Sequence, residues 1–387
     1  MNQSRNVKSN RNSRIANSEI ACWLCRLARA RGLASTAGDF EGVAGSLDWD
    51  SLLATADLHG VTELLRPALV AAGAAVPPHA IERVESRTVA VSALNLSRSA
   101  QLVRLMERLN ARGVRALAFK GPTLSRTLYG DLARRASSDL DILVHPRQAA
   151  AVRPLLLEDG YMLPPRRRHR GGSLLHGLVP AAGRDDTLLP PAAPLAAVDV
   201  HVGFAYWTQG IRVDTGALFA RAVTIDLLGT PVPTLCTDDL LIVLSIHGMM
   251  HGWCALRLLT DIDYLAPHVR DWDAAVDRAQ SANALRVLSV ALLLSHDVLE
   301  TGIPEHILAR ASNDPATVQI VQSVRTRLFD PVLPGAGNWD PRPWFLSFQD
   351  DAWGRLRFHA RDLIYEWFLK WPWDEWLGRR RHPGAVG

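Results

Sequence analysis

Three carboxylates and one imidazole are spaced for chemistry in this chain. Asp139 and Asp141 stand two residues apart in the alternating run Asp139-Leu140-Asp141-Ile142-Leu143-Val144. On a β-strand that spacing sends both carboxylates out of one face and Leu140 and Ile142 into the core. Adjacent acids repel unless water or a divalent cation lies between them. A second alternating run, Val198-Asp199-Val200-His201-Val202, puts Asp199 and His201 on one face of another strand. Three carboxylates on neighbouring strands suit metal-assisted phosphoryl or nucleotidyl transfer. There the acids hold Mg²⁺, and the metal offsets triphosphate charge and activates an attacking oxygen. His201, sharing the inward face with Asp199, is the first candidate for a separate general base.

The elements that must position these acids begin upstream. Leu117, Ala118 and Phe119 read as a short buried strand that stops at Lys120, Gly121 and Pro122. Glycine allows a tight turn, and proline suits a first helical turn because its missing N–H had no partner there. The following helix, Thr123 to about Tyr129, then points free N–H groups at the turn, an anion site with a lysine beside it.

With these residues in view, the chain resembles a bacterial family of nucleotidyltransferases in the DNA polymerase β superfamily. The resemblance is carried by Lys120-Gly121, Leu128-Tyr129, Arg135 and the Asp139 to Val144 run, then by Gly160-Tyr161 and by Asp199 with His201. Weaker echoes are Asp48-Trp49-Asp50, His59-Gly60, His247, Trp253 and Asp261, so that the likeness spans roughly residues 48 to 305. It implies an α+β fold: a small mixed-sheet nucleotidyltransferase core flanked by helices, with a C-terminal all-helical domain. It also implies Mg²⁺-dependent transfer of a nucleoside monophosphate from an NTP, ATP first among them. The acceptor would be a hydroxyl or similar group on a small molecule, peptide or protein. Asp139, Asp141 and Asp199 would be metal ligands, and Lys120, Gly121, Thr123, Arg135 and Ser138 would hold the nucleotide. One departure stands out. The superfamily's Gly-Ser turn close before the acids is replaced by Lys120-Gly121-Pro122, and Asp139 follows 18 residues after Gly121. That departure keeps a second reading open, a catalytically inactive nucleotide-binding protein of the same fold in a biosynthetic cluster.

At 387 residues and 48% hydrophobic content the chain can bury more than one core. A net charge of +4 does not require a nucleic-acid partner. The pattern, taken with the resemblance, implies a disordered tail over 1–19, an N-terminal helical segment over 20–112, the nucleotidyltransferase core over 113–236, a helical domain over 237–330 and a Trp-rich segment over 331–387. No apolar run approaches the ~20 residues of a spanning helix, and no secretory signal follows the charged start. Four cysteines fit a reducing cytoplasm, and Cys22 and Cys25 read as packing residues rather than a redox or zinc pair.

Other polar residues have plainer readings. Asp48 or Asp50 caps a helix that ends at Gly60, where His59 faces the helix dipole. A long helix from about His79 to Arg112 carries an apolar stripe of Leu94, Leu102, Leu105, Met106 and Leu109. Thr237 caps a helix with Asp238 and Asp239 in its first turn. His247 and His251 lie one turn apart, but Gly248 stands where a zinc-protease helix needs its glutamate, so the pair reads as structural or as a polar cleft wall. Asp261 and Asp263 read as helix-surface or cleft-wall acids. Arg166 to Arg170 form a basic loop, solvated or acting as a lid over phosphates. Between Met162 and Pro194 the only strand expected is Leu174 to Pro180. Seven of the twelve tryptophans lie from Trp339 onward near Arg379 to Arg381, which suits packing back on the domain or a peripheral membrane or partner contact.

Overall fold

The computed structural model describes residues 19–29, 42–43, 45–164, 186–205, 209–329, 341–349 and 352–364. The expected disordered tail, the basic loop Arg166 to Arg170, the strand at Leu174 to Pro180 and the tryptophans from Trp367 onward lie outside these residues.

The N-terminal part is helical. Helix α1 covers 19–28 and α2 covers Trp49–His59, capped by Asp48, whose carboxylate accepts from the Ser51 N–H at 3.1 Å. Helix α3, Arg66–Ala72, leads to α4, Pro78–Ala111, which opens on a proline and runs for 34 residues. Its buried stripe is not quite the expected one. Leu94 is exposed, and Asn95 and Ser99 take the inward positions between Val91 and Leu102. A polar side chain is tolerated there only because it is fully hydrogen-bonded, as shown below.

Strand β1, Ala116–Ala118, antiparallel to β2, Asp139–Val144, begins the sheet. Between them lies the six-residue helix α5, Pro122–Thr127. Helix α6, Ala149–Glu158, then crosses to β3, Asp186–Leu188, and β4, Ala197–His201. The order is β1-β2-β4-β3, with β2 and β4 parallel and β3 antiparallel to β4. Strand β3 was not expected, because Asp186, Thr187 and Leu188 are too few to show an alternation. Helix α7, Thr215–Ala220, precedes a separate hairpin of β5, Val223–Leu227, and β6, Thr230–Thr234.

Six helices follow: α8 (Thr237–Met250), α9 (Leu256–Leu265), α10 (Trp272–Ser281), α11 (Leu285–Leu299), α12 (Glu305–Ser312) and α13 (Pro315–Arg327). The architecture is the expected α+β one, a small mixed sheet with flanking helices and a helical C-terminal region.

The two-residue period of the strands separates two apolar cores. Ala116, Ala118, Leu140, Ile142, Val144, Val198 and Val200 pack on one face with the end of α4 and with α6. Leu117, Phe119 and Leu143 point the other way, into a larger core shared by the N-terminal helices and by α8 to α11. The acids of β2 and β4 leave from this second face, so the helical region stands over them.

Helix α8 is buried along nearly its whole length. The indole of Trp253, itself fully buried, lies against Gly248, where an added Cβ would come within 2.3 Å of Nε1. The missing glutamate of a zinc helix therefore has a packing reason: no side chain fits at that position. Asp238 and Asp239 open α8 as buried acids, with Cys236 rather than Thr237 at the cap. Arg221 grips Asp239 at 2.8 and 3.0 Å, and Arg278 reaches both acids. Past α13, helix α14 (Pro341–Ser347) packs back on the domain, with Trp344 donating to the Met249 carbonyl at 2.9 Å. Helix α15, Ala352–Ile364, follows. No helix among the described residues is long and apolar enough to cross a membrane.

Candidate active site

Strand register decides which acids meet. Parallel pairing sets Asp141 beside Asp199 and Leu143 beside His201, while Asp139 lies opposite Ala197. Ligand atoms of Asp141, Asp199 and His201 all fall within 4.8 Å of one another. Asp139 is outside this group, one pleat repeat of about 6.6 Å further up the strand. The close cluster is therefore two carboxylates and an imidazole, where the sequence suggested three carboxylates. The reach of the His201 side chain brings its Nε2 to Asp141 Oδ1 at 2.9 Å.

Asp141 is only 2% exposed, so of the two ways to tolerate adjacent acids, water or a cation between them, bulk water does not serve it. Lys120 reaches the same oxygen with Nζ at 2.7 Å. Burial alone would push the Asp141 carboxyl up. The Lys120 ammonium and the His201 hydrogen bond outweigh it and hold the group well below the usual carboxylate range. Asp199 goes the other way. Burial raises it, and the charges of Asp141 and Asp139 add to that rise against a hydrogen bond from Thr187. Its Oδ1 is buried with no hydrogen-bond partner. An orphaned carboxylate oxygen beside a second carboxylate and an imidazole is a donor set that fits a divalent cation, Mg²⁺ or Mn²⁺ by its oxygens.

Gly121 sets the entrance to this cluster. Its backbone, at φ 63° and ψ −137°, suits glycine alone, and an added Cβ would stand 2.8 Å from the Asp139 carbonyl oxygen. The turn after β1 thus lies directly on the start of β2, which brings Lys120 to Asp141.

Of the residues expected at the nucleotide, the structure turns two inward. Arg135 spends its fork on Asp261 of α9, at 2.7 and 2.8 Å, in a buried pair completed by the Tyr129 hydroxyl at 2.8 Å. A guanidinium so held is not free to grip phosphate, and Asp261, expected on a helix surface or a cleft wall, is instead a buried ion-pair partner. Thr123 is buried with its hydroxyl unpartnered. Ser138 is exposed and Asp139 half-buried at the mouth.

Sequence reasoning missed the group that holds the approach to β2. Asn95, fully buried on α4, donates to the carbonyls of Leu132 and Arg135 at 2.6 and 2.7 Å and accepts from the Ser137 hydroxyl at 2.5 Å. Arg98, one turn on, donates to the Ser137 carbonyl. The one signal was a cluster of polar residues, Asn95, Ser99 and Gln101, amid the apolar residues of α4.

Two histidines of the helical region come near the cluster. His247 and His251 of α8 stack edge to face with centroids 4.5 Å apart. Burial lowers both, and both lie close enough to Lys120 for its charge to lower them further. The pair therefore lies on the side of α8 that faces Lys120 and Asp141. His59 is not a charged partner of its helix dipole. It is buried, accepts from the Leu256 N–H through Nδ1 at 3.1 Å, and burial pushes it down to about 4, so it is neutral.

Comparison with curated proteins returns no match. Among solved structures, an antigenic nucleotidyltransferase-like protein from Paracoccidioides brasiliensis aligns with 57% of this chain and 94% of its own, at 14% identity and a TM-score of 0.30. That superposition is too loose to bear on function. A family described as uncharacterised nucleotidyltransferase matches residues 45–300, a span holding α2, the sheet with its acids, and the helical wall as far as α11. By that match over most of its length, the chain belongs to the uncharacterised nucleotidyltransferase family.

Proposed function

We propose that the protein is a metal-dependent nucleotidyltransferase that moves a nucleoside monophosphate from an NTP, ATP first, to a hydroxyl or similar acceptor on a small molecule, peptide or protein. The observation that carries this reading is the orphaned Asp199 Oδ1 beside Asp141 and His201 in a chain of this family. Asp141 and Asp199 would hold Mg²⁺, with Asp139 joining from the mouth of the cleft. When bound, the ion would offset charge on the triphosphate and lower the pKa of the acceptor hydroxyl.

The chain's own groups do the positioning. His201 fixes Asp141 through Nε2, an orienting part that fits its burial better than that of a free base. Lys120, 13% exposed at the edge of the cluster, is the cation best placed to meet phosphate oxygens. Asn95 and Gly121 keep β2 at its depth, so that the acids are aligned before substrate arrives. The His247–His251 pair, close enough to feel the Lys120 charge, would border the bound acceptor.

Pyrophosphate release from each of the four NTPs with Mg²⁺ or Mn²⁺ tests the proposal. Release that Asp199→Ala abolishes, with the fold intact by circular dichroism, is the expected result. The second reading, a nucleotide binder without turnover, is favoured by the Arg135 fork being taken up by Asp261. Calorimetric binding of NTP with no pyrophosphate under any acceptor would decide for it.

A further inference from the structure

Asp141 already has a cation. Its Oδ1 accepts from Lys120 at 2.7 Å and from His201 at 2.9 Å, while Asp199 beside it keeps a buried oxygen with no partner. The two acids therefore differ in what they offer a metal ion. A dication on Asp141 would stand within a few ångströms of the Lys120 ammonium, and like charges sharing one carboxylate oxygen repel. Lys120 must leave that oxygen if Asp141 is to become a ligand.

Where it can go follows from charge. A metal–triphosphate complex carries net negative charge, and the cleft presents it with Asp139, Asp141 and Asp199. Some basic group has to turn toward the phosphates. Arg135 is not that group, because both arms of its fork are spent on Asp261. Lys120 is exposed to the same small degree, 13% against 12%, but its grip is different. It holds Asp141 through a single point contact where Arg135 holds Asp261 with two, and its four-carbon stem can swing through several ångströms.

We propose that Lys120 is a resident counter-cation of the catalytic acids, which leaves Asp141 for the nucleotide phosphates as a metal–nucleotide complex binds. Metal and nucleotide consequently enter together. Bare metal meets an Asp141 that is already neutralised, whereas the complex supplies both the dication that replaces Lys120 and the anion that receives it. His201 stays on Asp141 throughout and keeps the carboxylate aimed. The idea rests on the nucleotidyltransferase reading above and adds to it an order of events and a second partner for one side chain.

The experiment is Mn²⁺ binding by electron paramagnetic resonance, with and without a non-hydrolysable ATP analogue, on the wild-type chain and on Lys120→Met. Wild type is expected to bind bare Mn²⁺ weakly and at least tenfold more tightly with the analogue. Lys120→Met should reverse this, gaining tenfold or more for bare Mn²⁺ and losing as much for the analogue. If that variant does not fold, Lys120→Gln, which keeps a donor for Asp141 without the charge, carries the same expectation. Wild type binding the Mn²⁺–analogue complex while neither variant gains bare-metal affinity refutes the exchange and leaves the nucleotidyltransferase reading standing. Failure of every protein to bind the complex overturns both.

Discussion

Replacing Gly121 by alanine should damage the site through the backbone, without touching any acid. Its φ of 63° and ψ of −137° place it where an L side chain is strained, at a cost of about 1–3 kcal/mol. The new Cβ would also stand 2.8 Å from the Asp139 carbonyl oxygen, against 3.4 Å or more for ordinary contact, so turn and strand must part by about 0.6 Å. Together these give a destabilisation of roughly 2–5 kcal/mol. Since a 1 Å misplacement of reacting groups can cost about a hundredfold, a shift of this size at the first residue of β2 should lower Mn²⁺ affinity and turnover about tenfold. Gly113 supplies the control. Its φ is +69°, but nothing lies within 4 Å of a Cβ there. Gly113→Ala should cost only about 1–2 kcal/mol and leave metal binding as it was. Urea denaturation and Mn²⁺ titration on the two variants make the comparison. Equal losses of stability with equal metal affinity would show that the contact with Asp139 does not set the depth of the acid strand.

Asp199→Asn removes a charge that burial and its acidic neighbours disfavour, so the variant should be at least as stable as wild type while metal binding is lost; a clear drop in its urea midpoint would contradict this. Arg135→Ala leaves the Asp261 carboxylate buried without its counter-cation and should cost about 3–5 kcal/mol, while the double change Arg135→Met with Asp261→Leu recovers most of it. Equilibrium unfolding of single and double variants reads the coupling, and additive losses would end the argument. His59 is neutral in the folded chain down to about pH 4, whereas the unfolded chain binds its proton near 6.5. Stability from this residue is complete above pH 6.5 and falls as pH drops toward 4, by about 3 kcal/mol at 1.36 kcal/mol per pH unit. His59→Gln should flatten that part of the pH–stability curve, and an unchanged slope would dismiss His59 as its source.

Much of the candidate site could be read from the order of residues alone. Alternation at Asp139 to Val144 and at Val198 to Val202 fixes which side chains share a strand face, because the pleat repeats every two residues whatever the neighbours do. Gly121 and Pro122 announce a turn and a helix start from backbone sterics, and the periodic apolar residues of α8 to α12 announce helices. A three-residue strand such as β3 carries no such period.

Partnership is what local pattern does not contain. Asp141 pairs with Asp199, and Asp139 does not, because of a register set by how two cores pack on opposite faces of the sheet. Arg135 looked like a phosphate ligand until α9 brought Asp261 to it across more than a hundred residues of chain. Asn95 gave no sign of its part, because the three loop groups on its amide lie about forty residues away along the chain. Strand faces follow from covalent geometry, which every residue carries with it. The choice of which charge neutralises which follows from burial, and burial exists only once the chain has folded.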